Sequence, residues 1–157
     1  GAHNVQLVHP REPEQLEALK GAMDCVFVDA PCTGTGTWRR RPDSKWRVKA
    51  NALDKRIAEQ TEILAAASAF VKPGGRLVYA TCSFLMEEEE ERVAAFLADN
   101  AEFTQEDAAE SAAAGGWLTE EGAATVRRYR NADGSVRLTP RRAGTDGFFF
   151  AVLRKSG

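Results

Sequence analysis

Two short runs constrain this chain more than any other feature. C-V-F-V-D, Cys25 to Asp29, and R-L-V-Y-A-T-C, Arg76 to Cys82, are almost continuously apolar. A half-exposed strand would alternate apolar and polar residues. Unbroken apolarity suits a parallel strand covered on both faces. Between the runs, Leu53, Ile57, Ile63, Leu64 and Phe70 recur at roughly helical intervals. K-P-G-G, Lys72 to Gly75, is expected to stop that helix. Strand, helix, strand is the unit from which a parallel sheet is built.

The rest of the chain extends the pattern. N-V-Q-L-V, Asn4 to Val8, reads as a short strand, and Pro13 to Lys20 as a helix with Leu16 and Leu19 on one side. Glu87 to Leu97 reads as a helix with an acidic start, the charge favoured near a positive dipole end. Glu102 to Gln105 is expected to be a short strand. Val136 to Thr139 and Gly147 to Lys155 are expected to be two more, joined by a loop. The stretch Ala108 to Gly134 is rich in Ala, Gly and charge, and residues 109–134 are expected to be a variable connection with little regular structure. The fold class expected is a doubly wound α/β sheet closed by an antiparallel hairpin. Such sheets bind ligands beyond the carboxyl ends of their strands. Asp29 to Cys32 follows one strand end and Thr81 to Ser83 another, so both cysteine-bearing motifs should face one crevice.

Composition narrows the function classes. The 157 residues suit one domain. The net charge of −2 does not mark a nucleic-acid binder, so local charge must make that case. Three widely spaced cysteines, Cys25, Cys32 and Cys82, do not form a disulfide framework, and a reducing cytoplasm is the expected compartment. There is no C-x-x-C, and His3 and His9 lack a second ligand cluster, so no metal site is expected. The longest strongly apolar run, Phe148 to Leu153, is too short to span a bilayer, and no signal peptide is read at the N-terminus.

Three motifs carry chemistry. D-A-P-C-T-G-T-G-T, Asp29 to Thr37, lacks the Lys and the third glycine of the two phosphate-loop patterns. Pro31 stiffens the turn, and Gly34 and Gly36 permit close backbone approach to a ligand. A plain strand-to-helix connection with convenient glycines is the competing reading. Cys82, flanked by Thr81 and Ser83 at a strand end before a helix, is placed to reach the cleft, where a helix N-terminus would favour its thiolate. Cys25, with no polar partner nearby in sequence, is read as structural. T-W-R-R-R-P-D-S-K-W-R-V-K, Thr37 to Lys49, holds six basic residues against Asp43, with Trp38 and Trp46 interleaved. Arginines pair with phosphates and indoles stack on bases, so this segment reads as a nucleic-acid contact, against the alternative of a solvated helix face with a tryptophan tucked into the core. The run Glu87 to Glu91 is read as a solvated helix start, and Asp146 as a turn former.

Taken together, D-A-P-C-T-G-T-G with W-R-R-R-P-D-S-K-W-R, then R-L-V-Y-A-T-C-S, then R-L-T-P-R-R-A-G-T-D-G-F-F-F-A-V-L-R-K closely resemble the RsmB/Fmu (Sun) family of RNA cytosine-5 methyltransferases. The likeness runs from about Val5 to Lys155, except Ala108 to Gly134. It implies a partial Rossmann-like S-adenosylmethionine-dependent methyltransferase sheet, with the C-terminal strands and their antiparallel hairpin present and the N-terminal strands missing. The chain would then be the C-terminal part of a catalytic domain. S-adenosylmethionine is implied as the methyl donor, its main binding loop absent from this chain, and cytosine in ribosomal RNA as the substrate.

By the same resemblance Cys82 takes the nucleophile role, Cys32 assists product release, and Asp29 lies near both donor and base. Asp29 and Pro31 would contact the donor, and Arg39, Arg40, Arg41, Lys45, Trp46 and Arg47 the RNA. Thr33 stands where the family often has Ser, Met86 and Glu89 replace a Pro and an Asn, and in H-P-R-E, His9 to Glu12, Pro10 stands near the position where the family places an acid that helps hold adenosine. The isolated chain is expected to be inactive and to self-associate through exposed sheet edges. Two other functions compete: a non-catalytic RNA-binding module, and a redox protein with a reversible Cys32–Cys82 bond.

Overall fold

The computed structural model describes residues 3–8, 13–116 and 118–157. The stretch His9 to Glu12, with Pro10, lies outside the described residues. In chain order the elements are α1 (Pro13–Glu17), β1 (Met23–Asp29), α2 (Ala52–Ser68), β2 (Val71–Thr81), α3 (Glu90–Asp99), β3 (Phe103–Glu106), α4 (Ala108–Ala114), α5 (Glu120–Arg128), β4 (Val136–Leu138), α6 (Pro140–Ala143) and β5 (Phe148–Lys155). Two 3-10 segments, Thr35–Thr37 and Pro42–Arg47, follow β1, and a third, Met86–Glu88, precedes α3.

The two apolar runs form neighbouring parallel strands, β1 and β2, joined by α2. β5 lies antiparallel on the other side of β2, from Arg76↔Arg154 to Thr81↔Phe149. The far edge of β5 is shared. β4 pairs with Phe148 to Phe150, completing the expected hairpin, and β3 pairs with Val152 to Lys155. The result is a five-stranded mixed sheet in an α/β fold. Among the described residues no helix is long and apolar enough to cross a membrane.

Alternation along β2 and β5 divides the side chains between two faces. Leu77, Tyr79, Phe149, Ala151 and Leu153 join Leu64 of α2 and Val93 and Phe96 of α3 in the main core. Val152, with half-buried Val78 and Phe150, meets Ala108 and Ala109 of α4 in a second cluster. In α2 the buried positions are Gln60, Leu64 and Ala67, a single helical stripe with a polar residue at its head.

Four expectations change. Asn4 to Val8 forms no strand; Leu7 is 87% exposed, and no hydrogen bond ties the run to a neighbour among the described residues. A β-prone run becomes a strand only where its backbone meets a ladder partner. Lys72 to Gly75 does not end α2, which stops at Ser68. It lies inside β2, where pairing jumps from Met23↔Val71 to Cys25↔Arg76. Gly74, at φ 71°, takes up that irregularity.

The stretch 109–134 holds two helices, both capped by side chains. Asp107 accepts hydrogen bonds from the N–H groups of Ala109 and Glu110, and Thr119 accepts one from Gly122. Lastly, Cys25 is exposed rather than buried, on β1, whose outer edge pairs with no described strand.

Candidate active site

β1 and β2 end level with each other. Asp29 pairs with Ala80, and the Ala30 N–H donates to the Ala80 carbonyl at 2.9 Å. The chain leaves both strands at the same end of the sheet, so the two cysteine motifs emerge side by side. The sulfur atoms of Cys32 and Cys82 lie 3.3 Å apart, both thiols half-buried. Asp29 is exposed at the same end, and its carboxylate makes no hydrogen bond or ion pair among the described residues. Cys25, further back on β1, is not part of this group.

Backbone contacts staple the loop after β1 to the segment after β2. The Gly36 N–H donates to the Cys82 carbonyl at 3.0 Å, and the Gly147 N–H donates to the Gly36 carbonyl at 2.8 Å. The hydroxyls of buried Thr35 and Ser83 are 2.9 Å apart, and the Phe84 N–H donates to Thr35 Oγ1 at 3.1 Å. The close approach that Gly36 permits is therefore to the chain itself. A Cβ there would stand 2.4 Å from the Gly147 oxygen and 2.7 Å from the Cys82 oxygen.

The glutamate run is not a solvated helix start throughout, because Glu88 and Glu89 are fully buried. Glu88 accepts hydrogen bonds from the Thr33 N–H at 2.8 Å, the Thr33 hydroxyl at 2.5 Å and Gln60 Nε2 at 3.1 Å. Gln60 Nε2 also donates to the Pro31 carbonyl at 2.9 Å. Thr33, Gln60 and Glu88 were not among the sequence-derived site residues. Charge patterning hides Glu88, since five consecutive glutamates look alike until the fold decides which ones turn inward.

Glu89 is a different case. The Arg137 guanidinium lies against it, yet directs its hydrogen bond to Glu90. Burial raises the Glu89 carboxyl to about 8, with Arg137 opposing that rise and Glu90 adding to it. The folded state thus holds this proton more tightly than the unfolded chain, whose carboxyl titrates near 4.5. The associated stability is fully present below the unfolded value and is lost as pH rises through the folded one. Denaturant unfolding at about pH 5 and about pH 6.5, below the range in which Cys82 titrates, should show the chain weaker at the higher pH by about 1–2 kcal/mol. Glu89→Gln should remove most of that difference; an unchanged difference would contradict the assignment.

In the cysteine pair the hydrogen bond from Cys32 lowers Cys82 to about 7, against the opposing effect of burial. That hydrogen bond and burial both push Cys32 upward, so it stays a thiol. The leading cause differs from the expected helix N-terminus, since α3 begins only at Glu90. Of the two sulfurs Cys82 is thus the more readily ionised and Cys32 the one that keeps its proton. Alkylation of Cys82 by iodoacetamide, followed by peptide mass spectrometry, should titrate near pH 7. In Cys32→Ala the midpoint should move up by about one unit or more, the lost hydrogen bond being the leading cause.

The basic segment divides. Arg39 donates to the Gly144 carbonyl at 2.5 Å, and Arg40 pairs with Asp146 at 2.5 Å, so these two hold the turn before β5. Arg41 and Lys45 point outward, and Trp46 is 81% exposed with the Lys45 ammonium over its ring. Arg47 lines a cavity of about 340 Å³ together with Cys32, Thr33, Lys49, Lys55 and Arg56. Trp38 packs edge-on against Phe84 instead of facing solvent.

The chain is similar to known proteins over most of its length. Ribosomal RNA small subunit methyltransferase B of Shewanella oneidensis is 33% identical over 133 residues, 85% of this chain and 27% of that protein. The crystal structure of PH0851 superposes with a TM-score of 0.71 at 34% identity, covering 87% of this chain and 27% of that one. NSun6 from Pyrococcus horikoshii, solved with SFG, superposes with a TM-score of 0.61 at 26% identity, covering 83% of this chain and 29% of that one. The chain thus spans about a quarter of the length of the relatives it matches. Residues 2–154 match the family described as 16S rRNA methyltransferase RsmB/F, and the chain belongs to that family.

Proposed function

We propose that this chain carries the cysteine pair of an enzyme that methylates carbon 5 of cytosine in ribosomal RNA through a covalent Cys82 adduct. It would form the C-terminal part of the catalytic domain of a cytoplasmic protein. The observation that carries this reading is the 3.3 Å approach of the two sulfurs, with Cys82 lowered to about 7 and Cys32 kept protonated.

Carbon 5 of cytosine is a weak nucleophile. Attack of the Cys82 thiolate on carbon 6 gives an enamine-like ring and makes carbon 5 reactive. As the thiolate adds, ring nitrogen 3 would take up a proton from solvent, and Asp29 would accept a hydrogen bond from the N–H so formed, offsetting the charge that develops there. After transfer, the carbon-5 proton must leave and the carbon 6–sulfur bond must break, returning the electron pair to Cys82. Cys32 is within reach to assist that second half. The base leaves its stack to enter the crevice.

S-adenosylmethionine, when bound, supplies an electrophilic methyl group. The residues present fit it. The Asp29 carboxylate borders an open cavity of about 410 Å³ whose other walls include Val26, Val28, Ile63 and Phe70, a single anion against apolar surface. Such a lining suits a cationic ligand with an apolar ring. Pro31 would contribute its ring, because its carbonyl already accepts from Gln60. Arg41, Lys45, Trp46 and Arg47 would meet the RNA, with Arg39 and Arg40 bracing them.

The test is made on the complete enzyme. Ribosomal RNA from cells lacking the gene should lose a carbon-5 methyl mark on small-subunit RNA, read by bisulfite sequencing. The wild-type gene should restore the mark and Cys82→Ala should not. Restoration by Cys82→Ala would sink the proposal.

A further inference from the structure

We propose that Glu88 is a positioning residue for the cysteine pair, holding Cys32 against Cys82 through Thr33 and Gln60. The catalytic importance of that hold rests on the covalent mechanism proposed above; the hold itself is a property of this chain.

Glu88 is fully buried, yet has no ion-pair partner among the described residues. A buried carboxylate without a cation is costly unless N–H and O–H donors surround it. Here they come from two sources. Thr33 gives its backbone N–H and its hydroxyl, and Gln60 gives its side-chain amide. Gln60, itself fully buried, donates from the same nitrogen to the Pro31 carbonyl. Pro31 and Thr33 flank Cys32, so both neighbours of the thiol are tied to one buried unit.

That unit is itself anchored. The Tyr79 hydroxyl donates to the Glu88 carbonyl at 2.9 Å, and Tyr79 belongs to β2, which leads directly to Cys82. Starting from Cys82, a continuous path runs through Tyr79, Glu88 and Thr33 to Cys32. If the loop retreated, Glu88 would lose two of its donors together, which sets where Cys32 can sit. The same logic gives Thr33 a requirement for a hydroxyl, which serine meets equally.

The experiment reads the placement of Cys32 directly. Diamide oxidises two neighbouring thiols: the Cys82 thiolate adds across its N=N bond, then the Cys32 thiol displaces it. The disulfide forms, and two electrons and two protons pass to the hydrazine product. The Cys32–Cys82 peptide is quantified by mass spectrometry in this 157-residue chain. Thr33→Val and Glu88→Gln should slow the crosslink on the order of tenfold, the scale of one charge-assisted hydrogen bond. Thr33→Ser should crosslink at the parent rate.

In the complete enzyme, Thr33→Val should accumulate a covalent adduct with RNA carrying ordinary cytosine, because release fails while attack persists; Thr33→Ser should not. Unchanged crosslinking in both Thr33→Val and Glu88→Gln would overturn the proposal, as would Thr33→Ser behaving like Thr33→Val. A wild-type enzyme that forms no adduct with 5-azacytosine RNA would instead overturn the methyltransferase mechanism, and crosslinking would still decide whether Glu88 holds the pair.

Discussion

Gly36→Ala is expected to lower the stability of this chain by roughly 3–5 kcal/mol, on the scale of overpacking combined with a lost backbone hydrogen bond. The added Cβ would stand 2.4 Å from the Gly147 oxygen, 2.7 Å from the Cys82 oxygen and 2.8 Å from the Gly147 carbonyl carbon. All three are backbone atoms, so no side chain can rotate away to make room. Either the loop after β1 retreats or the segments bearing Cys82 and Gly147 do. Both outcomes strain the hydrogen bonds Gly36 makes to Cys82 and from Gly147.

The functional loss should exceed what reduced stability explains, because those bonds also set the spacing of the two sulfurs. A displacement of about 1 Å at a reacting group can cost roughly a hundredfold in rate. Gly34→Ala is the contrasting case. Gly34 sits at φ 71°, but an added Cβ would meet only Thr37 Oγ1, at 3.8 Å. Its cost should be the backbone strain alone, about 1–2 kcal/mol. Denaturant unfolding of both variants checks the pair, and equal losses would contradict the packing argument.

Cys82→Ala is the second change with a large expected effect. If Cys82 attacks carbon 6, removing its sulfur eliminates the step that makes carbon 5 reactive. The methylation rate of the complete enzyme should fall by roughly four orders of magnitude or more, as for other lost nucleophiles. Stability should change little, since the half-buried thiol contributes only a small packing volume. Trp46→Ala should behave differently. Trp46 is exposed and shares no hydrogen bond with the cysteine motifs among the described residues, so its loss should weaken RNA binding and raise KM with kcat retained.

Much of this architecture could be read from local pattern. β1 and β2 announce themselves as unbroken apolar runs, and their parallel pairing with α2 between them follows from the strand–helix–strand order. The convergence of Cys32 and Cys82 follows from where those strands end. Other features depend on contacts that local pattern does not encode. The glycines of Lys72 to Gly75 look like a helix stop, and only the pairing of Met23 with Val71 draws them into β2.

Asn4 to Val8 has strand-forming residues but no ladder partner among the described residues. The helices α4 and α5 did leave signals, Asp107 and Thr119 at their caps, which the Ala- and Gly-rich composition obscured. Glu88 and Glu89 were hidden most thoroughly. Five identical residues carry no information about which two the sheet and α2 will enclose, and Arg137, far along the chain, had to be placed before Glu89 could be distinguished from its neighbours.

The site also sorts residues that sequence alone groups together. Arg39 and Arg40 read as RNA contacts, yet their side chains reach the turn between Gly144 and Asp146. Arg47, in the same run, faces the cavity beside Cys32. The aromatic residues part in the same way, with Trp38 against Phe84 and Trp46 in solvent. Basic composition marks the segment, whereas the fold decides which members brace and which remain open to a partner.

Which sulfur attacks decides the proposed mechanism. The most direct measurement is trapping of the complete enzyme by RNA carrying 5-azacytosine, from which the covalent adduct cannot be released. Wild type and Cys32→Ala should both form a denaturation-resistant protein–RNA complex, and Cys82→Ala should form none. A complex that persists in Cys82→Ala and disappears in Cys32→Ala would contradict the account and reassign the nucleophile to the loop after β1.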